Sequence, residues 1–383
     1  MRSRRPYSFE YPVKDTANTT RIMGSNAISF NIHVTQMIYP MPEVEWRPNA
    51  VILIPLTSYH YAMIASSLVC FPINAPLLFT YPNGLHPDTL QEIERLSPSG
   101  GEAPAQAIMV GPIAETVQKQ LESTGYTVRH IEGGDPFTAA AEVLEFRNAF
   151  PPRSMAGNEN IILMAADSPD VCLHTAYYAA HSGVPILFTL KDRLPDVTRN
   201  MLLKYNNRNV FLVANERMIS NGVMEEVKQL TYGMVDRIGG STLADCAVNF
   251  AKYRSVVGRF GWDMNRTDGW AFCFGTEYDW AEVLAACVFA LLGKNAPFLF
   301  IEPSGIPDIT FNYVLSLKPH AVCPPRPPYM HGYILGEFEK ITRQTQVEIE
   351  RLMNIRTAEG EGVPTVPIYD PNMVTFRNLW LGE

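Results

Sequence analysis

The chain has 383 residues, of which 46% are hydrophobic and 18% are charged, and its formal net charge is −8. This length favours two or three domains. The acidic balance argues against a nucleic-acid binder, since no domain-wide basic field exists to collect phosphates. No run approaches the roughly 18 consecutive apolar residues of a membrane-spanning helix, so a transmembrane segment is not expected.

The N-terminus carries Arg2, Arg4 and Arg5, as the charged start of a secretory signal peptide does, but no apolar segment follows them. We therefore expect a soluble chain whose export would need another route or a removed precursor segment. The six cysteines contain no C-x-x-C pair, and most lie in apolar runs. We interpret them as buried free thiols, which favours a reducing compartment.

Three signatures recur along the chain at one period. Pro76, Pro185 and Pro297 open apolar P-x-L-F runs that lie 109 and 112 residues apart. The segments RIMG, HIEGG and RIGG recur 109 and 107 residues apart, and the runs AIMV, VFLVA and YILG lie between them. Internal repetition of this kind predicts repeated structural units. We place them at 21–129, 130–236 and 237–354, with an N-terminal extension (1–20) and a C-terminal tail (355–383).

Each unit reads as alternating strands and helices. The runs VILIPL, IILMAA and AFCFGT are typical of buried strands, and helices are predicted at 59–73, 168–182 and 277–294. The proline-led runs predict a second strand. The amphipathic helices that follow begin where an N-cap or first-turn acid belongs, at Asp88, Asp196 and Asp308. The pattern predicts an α/β fold of three tandem Rossmann-like or flavodoxin-like units, with mainly parallel sheets covered by helices on both faces.

The order of these signatures resembles the cell-wall-binding repeat type 2 family over about residues 21–350. The best matches are RIGGSTLADCAVNFA, EVLAACVFALLGKNAPFLF and VFLVANERMISNGVMEEVKQL. The resemblance implies three modules around a pseudo-threefold axis and attachment to an anionic wall polymer. It also implies a ligand-binding role for the acidic residue that lies 15 positions before the motif proline. This residue is Asp170 in the second unit and Glu282 in the third, and Tyr61 takes its place in the first unit. The third unit carries an insertion at 323–333.

The glycine turns at Gly133–Gly134 and Gly239–Gly240 place backbone amides at helix starts, where a phosphate could bind. Neither turn is a G-x-G-x-x-G or P-loop motif. A glycine turn capped by Ser241 or Thr242 explains the residues, so we favour the structural interpretation.

Asp167, Asp170 and His174 form a polar cluster. Asp170 and His174 are four residues apart, so a helix would place them on one face, as an acid–base pair requires. We favour a salt bridge or a capped helix start. No nucleophile elbow, H-E-x-x-H helix or clustered Cys/His set exists, so neither catalysis nor a metal nor a cofactor is expected.

Arginines of the second and third units could form a local basic patch that contacts phosphate or carboxylate groups. The alternative is ordinary solvated charge on helix faces. The patch would comprise Arg193, Arg199, Arg208, Arg237, Arg254, Arg259 and Arg266. Together with the resemblance and the glycine turns, it completes the candidate ligand-binding set of Asp170, Glu282, Arg193, Arg237, Gly239, Gly240 and Arg254.

The leading hypothesis is a non-catalytic protein that binds an anionic surface polymer or associates with itself. One alternative is a subunit of an intracellular or phage-like assembly, favoured by the apolar tail at 355–383. This tail either folds back on its own chain or docks on a second copy. The other alternative is a cytosolic enzyme or sensor that holds a nucleotide or sugar phosphate at the helix-start glycines. The resemblance favours the cell surface and the N-terminus favours the cytoplasm, so the compartment stays open.

Overall fold

The computed structural model describes residues 15–40, 47–101, 103, 105–292, 294–319 and 329–354. The C-terminal tail, Cys323 and most of the insertion at 323–333 lie outside the described residues, and so do the expectations placed on them. The five described cysteines are buried and free, as expected from their apolar surroundings.

The described strands form three four-stranded sheets in which every pair is parallel. Their orders are β3-β2-β4-β5, β7-β6-β8-β9 and β11-β10-β12-β1. This arrangement confirms the predicted α/β fold with three Rossmann-like units. The strands are β1 (Thr19–Ile22), β2 (Val51–Pro55), β3 (Leu77–Thr80), β4 (Ala107–Val110), β5 (Val128–Ile131), β6 (Asn160–Ala165), β7 (Ile186–Thr189), β8 (Asn209–Val213), β9 (Val235–Ile238), β10 (Ala271–Gly275), β11 (Phe298–Phe300) and β12 (His331–Leu335).

Helices cover the sheets and connect the strands. The predicted first-turn acids are present at the starts of α3, α8 and α12. The helices are α1 (Ala27–Ile38), α2 (Tyr59–Ala65), α3 (Pro87–Leu96), α4 (Glu115–Ser123), α5 (Pro136–Ala149), α6 (Met155–Glu159), α7 (Thr175–Ser182), α8 (Asp196–Lys204), α9 (Asn221–Leu230), α10 (Leu243–Lys252), α11 (Trp280–Ala285), α12 (Asp308–Ser316) and α13 (Arg343–Met353), with 3₁₀ turns at Ser66–Leu68, Val257–Arg259 and Ala286–Ala290.

The first strand among the described residues, β1, completes the third sheet. β1 pairs with β12, with Ile22 opposite Leu335. Glu350 on α13 holds the entry to this strand by accepting hydrogen bonds of 2.9 Å from both the backbone and side-chain nitrogens of Asn18. Arg21, only 2% exposed, donates to Gln346 and to three backbone carbonyls of the neighbouring segment. The third sheet is therefore closed by two segments more than 300 residues apart.

The helices that follow the inner strands β2, β6 and β10 contact one another. α2 contacts both α7 and α11, and α7 contacts the 3₁₀ turns that follow α2 and α11. Tyr177 donates a 2.8 Å hydrogen bond to the Val283 carbonyl, and the Cys70 thiol lies 3.4 Å from the His181 carbonyl. Buried residues from all three units form one continuous hydrophobic core. The pseudo-threefold arrangement stays a prediction.

Candidate functional site

The carboxyl edges of the three sheets are the places where this fold presents loops for binding. In the three sheets the inner strands β2, β6 and β10 each lie between the next two strands of the chain, so the connections leave in opposite directions. A crevice forms at such a switch point in open parallel sheets. The loop after the fourth strand also reaches this edge, and it then leads into the first helix of the next unit.

At the third sheet this edge forms an open cleft of about 400 Å³, which we call the unit-3 cleft. Its walls are residues 24–27 after β1, Asp279, Ala281 and Glu282 around the start of α11, and Glu337 and Lys340 after β12. Because β1 pairs with β12, residues of the predicted first and third units meet here.

A partly exposed ion cluster forms one wall of the cleft. Lys340 Nζ lies 2.7 Å from both Asp279 Oδ1 and Glu282 Oε1. Glu282 is 3% exposed, and its Oε2 has no hydrogen-bond donor among the described residues. Burial raises the pKa of Glu282, while the hydrogen bond from Lys340 acts in the opposite direction. The pKa of Lys340 is raised because its bonds to the two carboxylates outweigh the effect of burial.

The equivalent position in the first unit is filled by Tyr61, as the repeat alignment predicts. A Cβ added to Gly111 would lie 2.6 Å from the Tyr61 ring, and one added to Gly336 would lie 3.3 Å from Glu282 Oε2. Gly111 and Gly336 both follow the third strand of their sheets. Tyr61 and Glu282 therefore occupy matching positions. The tyrosine ring fills the position in the first unit, and the glutamate carboxylate lies there in the third.

The second unit departs from this pattern, and the prediction of one helix over 168–182 is wrong. α7 begins at Thr175, so Asp170 and His174 do not share a helix face. Asp170 is exposed, whereas His174 is 2% exposed and packs between the rings of Phe250 and Phe300. Neither ring nitrogen of His174 has a hydrogen-bond partner in the described part of the chain, and burial lowers its pKa to about 3. The expected salt bridge is therefore wrong: His174 is a neutral core residue.

Arg237 stabilises a loop. Its guanidinium donates to the Ala214 carbonyl at 3.2 Å, to the Ile219 carbonyl at 2.8 Å and to Asn221 Oδ1 at 3.3 Å. Arg21 makes the matching contacts after β12, and His130 lies 2.9 Å from the Gly111 carbonyl after β4. The first residue of each R-I-G-G-like signature thus fastens the end of the neighbouring strand.

The glycines after these residues allow a close approach between the turn and the next helix. A Cβ on Gly240 would lie 2.4 Å from Asp245, and one on Gly239 would lie 2.8 Å from the Ala214 carbonyl. Thr242 caps α10, and its side chain and Asp245 form a capping box. This confirms the prediction that Ser241 or Thr242 caps the helix, with Thr242 as the capping residue. Gly239 and Gly240 lie at the carboxyl edge of the second sheet, so the structure does not bring them together with Glu282.

The remaining candidates are surface arginines. Arg193 is exposed in the loop after β7. Arg254 is also exposed, and it forms a 2.6 Å ion pair with Asp263. Within the expected patch, Arg199 and Arg266 also have carboxylate partners. Acidic neighbours therefore offset part of the positive charge that the sequence suggested.

Two further openings lie elsewhere on the described surface. A groove of about 760 Å³ runs between β5, α5 and α8, lined by apolar groups of Ile131, Phe146, Phe150 and Met201. A smaller cleft of about 240 Å³ meets the start of α10, with Glu277 among its walls.

The spacing in the sequence indicated Glu282, but no sequence pattern indicated the residues around it. Lys340, Asp279 and residues 24–27 belong to three separate segments that a long-range strand pairing brings together. Among the described residues, no group of three or more His, Cys, Asp or Glu side chains could hold a metal ion. No helix among them is long and apolar enough to cross a membrane.

No profile of a known protein family matches the chain. The sequence is 26% identical over 267 residues to the amidase enhancer of Bacillus subtilis (strain 168), covering 69% of this chain and 33% of that protein. It is 24% identical over 235 residues to N-acetylmuramoyl-L-alanine amidase LytC of the same organism, covering 61% of this chain and 42% of that protein. The chain therefore spans less than half the length of either relative.

Solved structures share the fold over most of the chain. Cwp6 from Clostridium difficile aligns with a TM-score of 0.68 at 14% identity, covering 86% of this chain and 47% of that one. Cwp8 from the same organism aligns with a TM-score of 0.67 at 15% identity, covering 88% and 52%. The chain is thus similar in sequence to proteins named for an amidase or its enhancement, and similar in fold to Cwp6 and Cwp8.

Proposed function

We propose that this chain is a non-catalytic wall-binding protein of the cell-wall-binding repeat type 2 kind, which attaches to an anionic polymer of the bacterial surface. The observation that carries the proposal is the overlap of the two sequence matches. The match to the amidase enhancer covers 69% of this chain and the match to LytC covers 61%, so the two matches must overlap on part of it. Two proteins with different named activities have this segment in common, which favours attachment over catalysis as its role.

The described structure supports a role in binding. The unit-3 cleft contains a lysine engaged by two carboxylates, and no nucleophile–base pair lines it. A nucleotide or sugar phosphate at the α10 start is disfavoured for two reasons. The capping box already occupies the amides of Thr242 and Asp245, and Glu277 lines the cleft beside this helix. A phosphate there would be repelled by the negative charge of Glu277 at short range.

Sedimentation with isolated Gram-positive cell walls tests the proposal. We expect the full chain to pellet with the walls and to be released as salt rises, because surface charge contacts are screened within about 10 Å at 0.1 M ionic strength. Walls treated with hydrofluoric acid, which removes phosphodiester-linked polymers, should retain much less protein. Equal binding to treated and untreated walls would contradict an anionic polymer as the ligand.

A second candidate function is self-association, favoured by the apolar groove between β5, α5 and α8. The matching groove beside β9 is filled by the chain itself, where Phe260 is fully buried and Tyr253 donates a 2.5 Å hydrogen bond to Asp236. A second copy of the chain would fill the open groove in the same way. Light scattering that shows a concentration-dependent dimer, abolished by Phe146→Glu, would support this role, and a monomer at high concentration would exclude it.

A further inference from the structure

The unit-3 cleft has the wrong charge for an anionic group. Its walls carry three carboxylates, on Asp279, Glu282 and Glu337, and one ammonium group, on Lys340. Lys340 is already engaged by two of the carboxylates at 2.7 Å. A phosphate that entered the cleft would approach net negative charge at short range, where repulsion is weakly screened.

The N-terminus of α1, which faces the cleft, offers few free hydrogen-bond donors to an anion. α1 is twelve residues long, and Asn26 caps it by accepting hydrogen bonds from the amides of Ile28 at 3.0 Å and Ser29 at 2.9 Å. These amides are the donors that would otherwise hold a phosphate at a helix start. Since they are satisfied internally, the helix contributes no free donors at these positions.

The cleft does lack a donor at one point. Glu282 lines the cleft and is only 3% exposed. Its Oε2 atom has no hydrogen-bond partner among the described residues. A buried carboxylate oxygen in this state carries an uncompensated desolvation cost until a donor reaches it. A ligand with several N–H or O–H groups would supply that donor, and Asp279 and Glu337 would accept from its other groups.

We propose that the unit-3 cleft binds an amino sugar unit with a free amine, with the carboxylates of Glu282, Asp279 and Glu337 around the ammonium and hydroxyl groups. The volume of about 400 Å³ lies in the lower part of the range of small-molecule sites, roughly 300–1,000 Å³, which suits one sugar unit. This inference rests on the proposed wall-binding function and names the chemistry that this one site recognises. Phosphate-bearing parts of the polymer would then bind elsewhere on the chain.

Calorimetric titration of the full chain at about pH 6, where an amine is protonated, tests the inference with three probes. Glucosamine should bind more tightly than N-acetylglucosamine, and glucosamine 6-phosphate should bind more weakly than glucosamine. Equal or tighter binding of the phosphate would overturn the proposal.

Variants assign the binding to this cleft. Glu337→Gln, at a half-buried wall position, should weaken glucosamine binding several-fold, and Glu282→Gln should weaken it by about tenfold or more. Lys340→Met should preserve or strengthen glucosamine binding, because it removes the competing ammonium group. Glu277→Gln is the matched control at the smaller cleft and should leave binding unchanged. Unchanged binding in both Glu282→Gln and Glu337→Gln, with folding confirmed by circular dichroism, would refute the assignment.

The two proposals fail differently. If the chain sediments with walls but glucosamine does not bind, the wall-binding function stands and the amino sugar site is wrong. If glucosamine binds and Glu282→Gln abolishes that binding, but the chain does not sediment with walls, the site stands and the wall-binding function is wrong.

Discussion

Replacing Arg21 by Met tests whether β1 closes the third sheet in solution. Arg21 lies in β1, is 2% exposed and donates four hydrogen bonds to the segment between β12 and α13. Methionine has similar length and fills the space without strain, but it donates no hydrogen bond. The substitution therefore removes the polar contacts of the closure and leaves its packing largely in place.

The expected cost follows from the geometry of these bonds. Those to Gln346 at 2.9 Å and to the Gly336 carbonyl at 2.8 Å have ordinary length, while those to the carbonyls of Glu337 and Thr342, at 3.2 and 3.3 Å, are longer. Hydrogen bonds to a charged group contribute about 1.5–3 kcal/mol each, so the two shorter bonds give about 3–6 kcal/mol. Burial lowers the pKa of Arg21 to about 10, which shows a desolvation cost that methionine avoids. We expect a net loss of about 3 kcal/mol in the free energy of unfolding.

Guanidinium denaturation followed by circular dichroism measures the loss, with hydrogen exchange on the same variants. Amides of β12 should lose protection in Arg21→Met while those of β4 keep theirs, because the affected contacts belong to the third sheet. Arg237→Met is the matched control, with a more exposed guanidinium, and should cost about 1 kcal/mol. A loss below about 1 kcal/mol for Arg21→Met, with β12 still protected, would refute the closure by β1.

Other predictions concern the core, the loss of stability at acidic pH and the glycine turns. Phe260→Ala should cost about 3–5 kcal/mol in chemical denaturation, because the ring is fully buried and stacks at 3.8 Å on an aromatic ring of β8; Val257→Ala, at a side chain that is 53% exposed, should stay within about 0.5 kcal/mol. His174 has a pKa of about 3 in the folded chain against about 6.5 unfolded, so its contribution is present above pH 6.5 and is lost as pH falls towards 3. His174→Leu should therefore flatten the dependence of Tm on pH below about 6.5, and an unchanged slope would show that this histidine is not buried and neutral. Gly133→Ala should destabilise the chain by more than about 2 kcal/mol, because its new Cβ would lie 2.3 Å from the backbone of α5. Gly134→Ala is the control and should cost about 1 kcal/mol, because Gly134 has a similar φ of +68° but no atom within 4 Å of the new Cβ. Equal thermal shifts for the two variants would contradict the clash.

The local signals in the sequence were sufficient for the units themselves. Proline-led apolar runs marked β3, β7 and β11, and first-turn acids marked the helices after them. These features depend on neighbouring residues, so periodicity detects them. The pairing of β1 with β12 depends on contacts across more than 300 residues, and no local pattern encodes it.

The candidate site was predictable in part for the same reason. Glu282 was found because the repeat aligns it with Tyr61, and the structure places both at matching points. Asp170 shares their alignment but not their position, because its loop stays irregular until Thr175. Lys340 was missed, since only the closed third sheet brings it within 2.7 Å of Glu282.

The most direct test of the central claim combines binding and catalysis in one tube. Purified full-length chain is incubated with intact Gram-positive walls and sedimented, and the supernatant is assayed for newly released amino groups and for loss of wall turbidity. We expect the protein to pellet in a salt-sensitive manner while the walls stay intact. Protein that remains in the supernatant, or walls that release amino groups at a rate dependent on added protein, would contradict a non-catalytic wall-binding function.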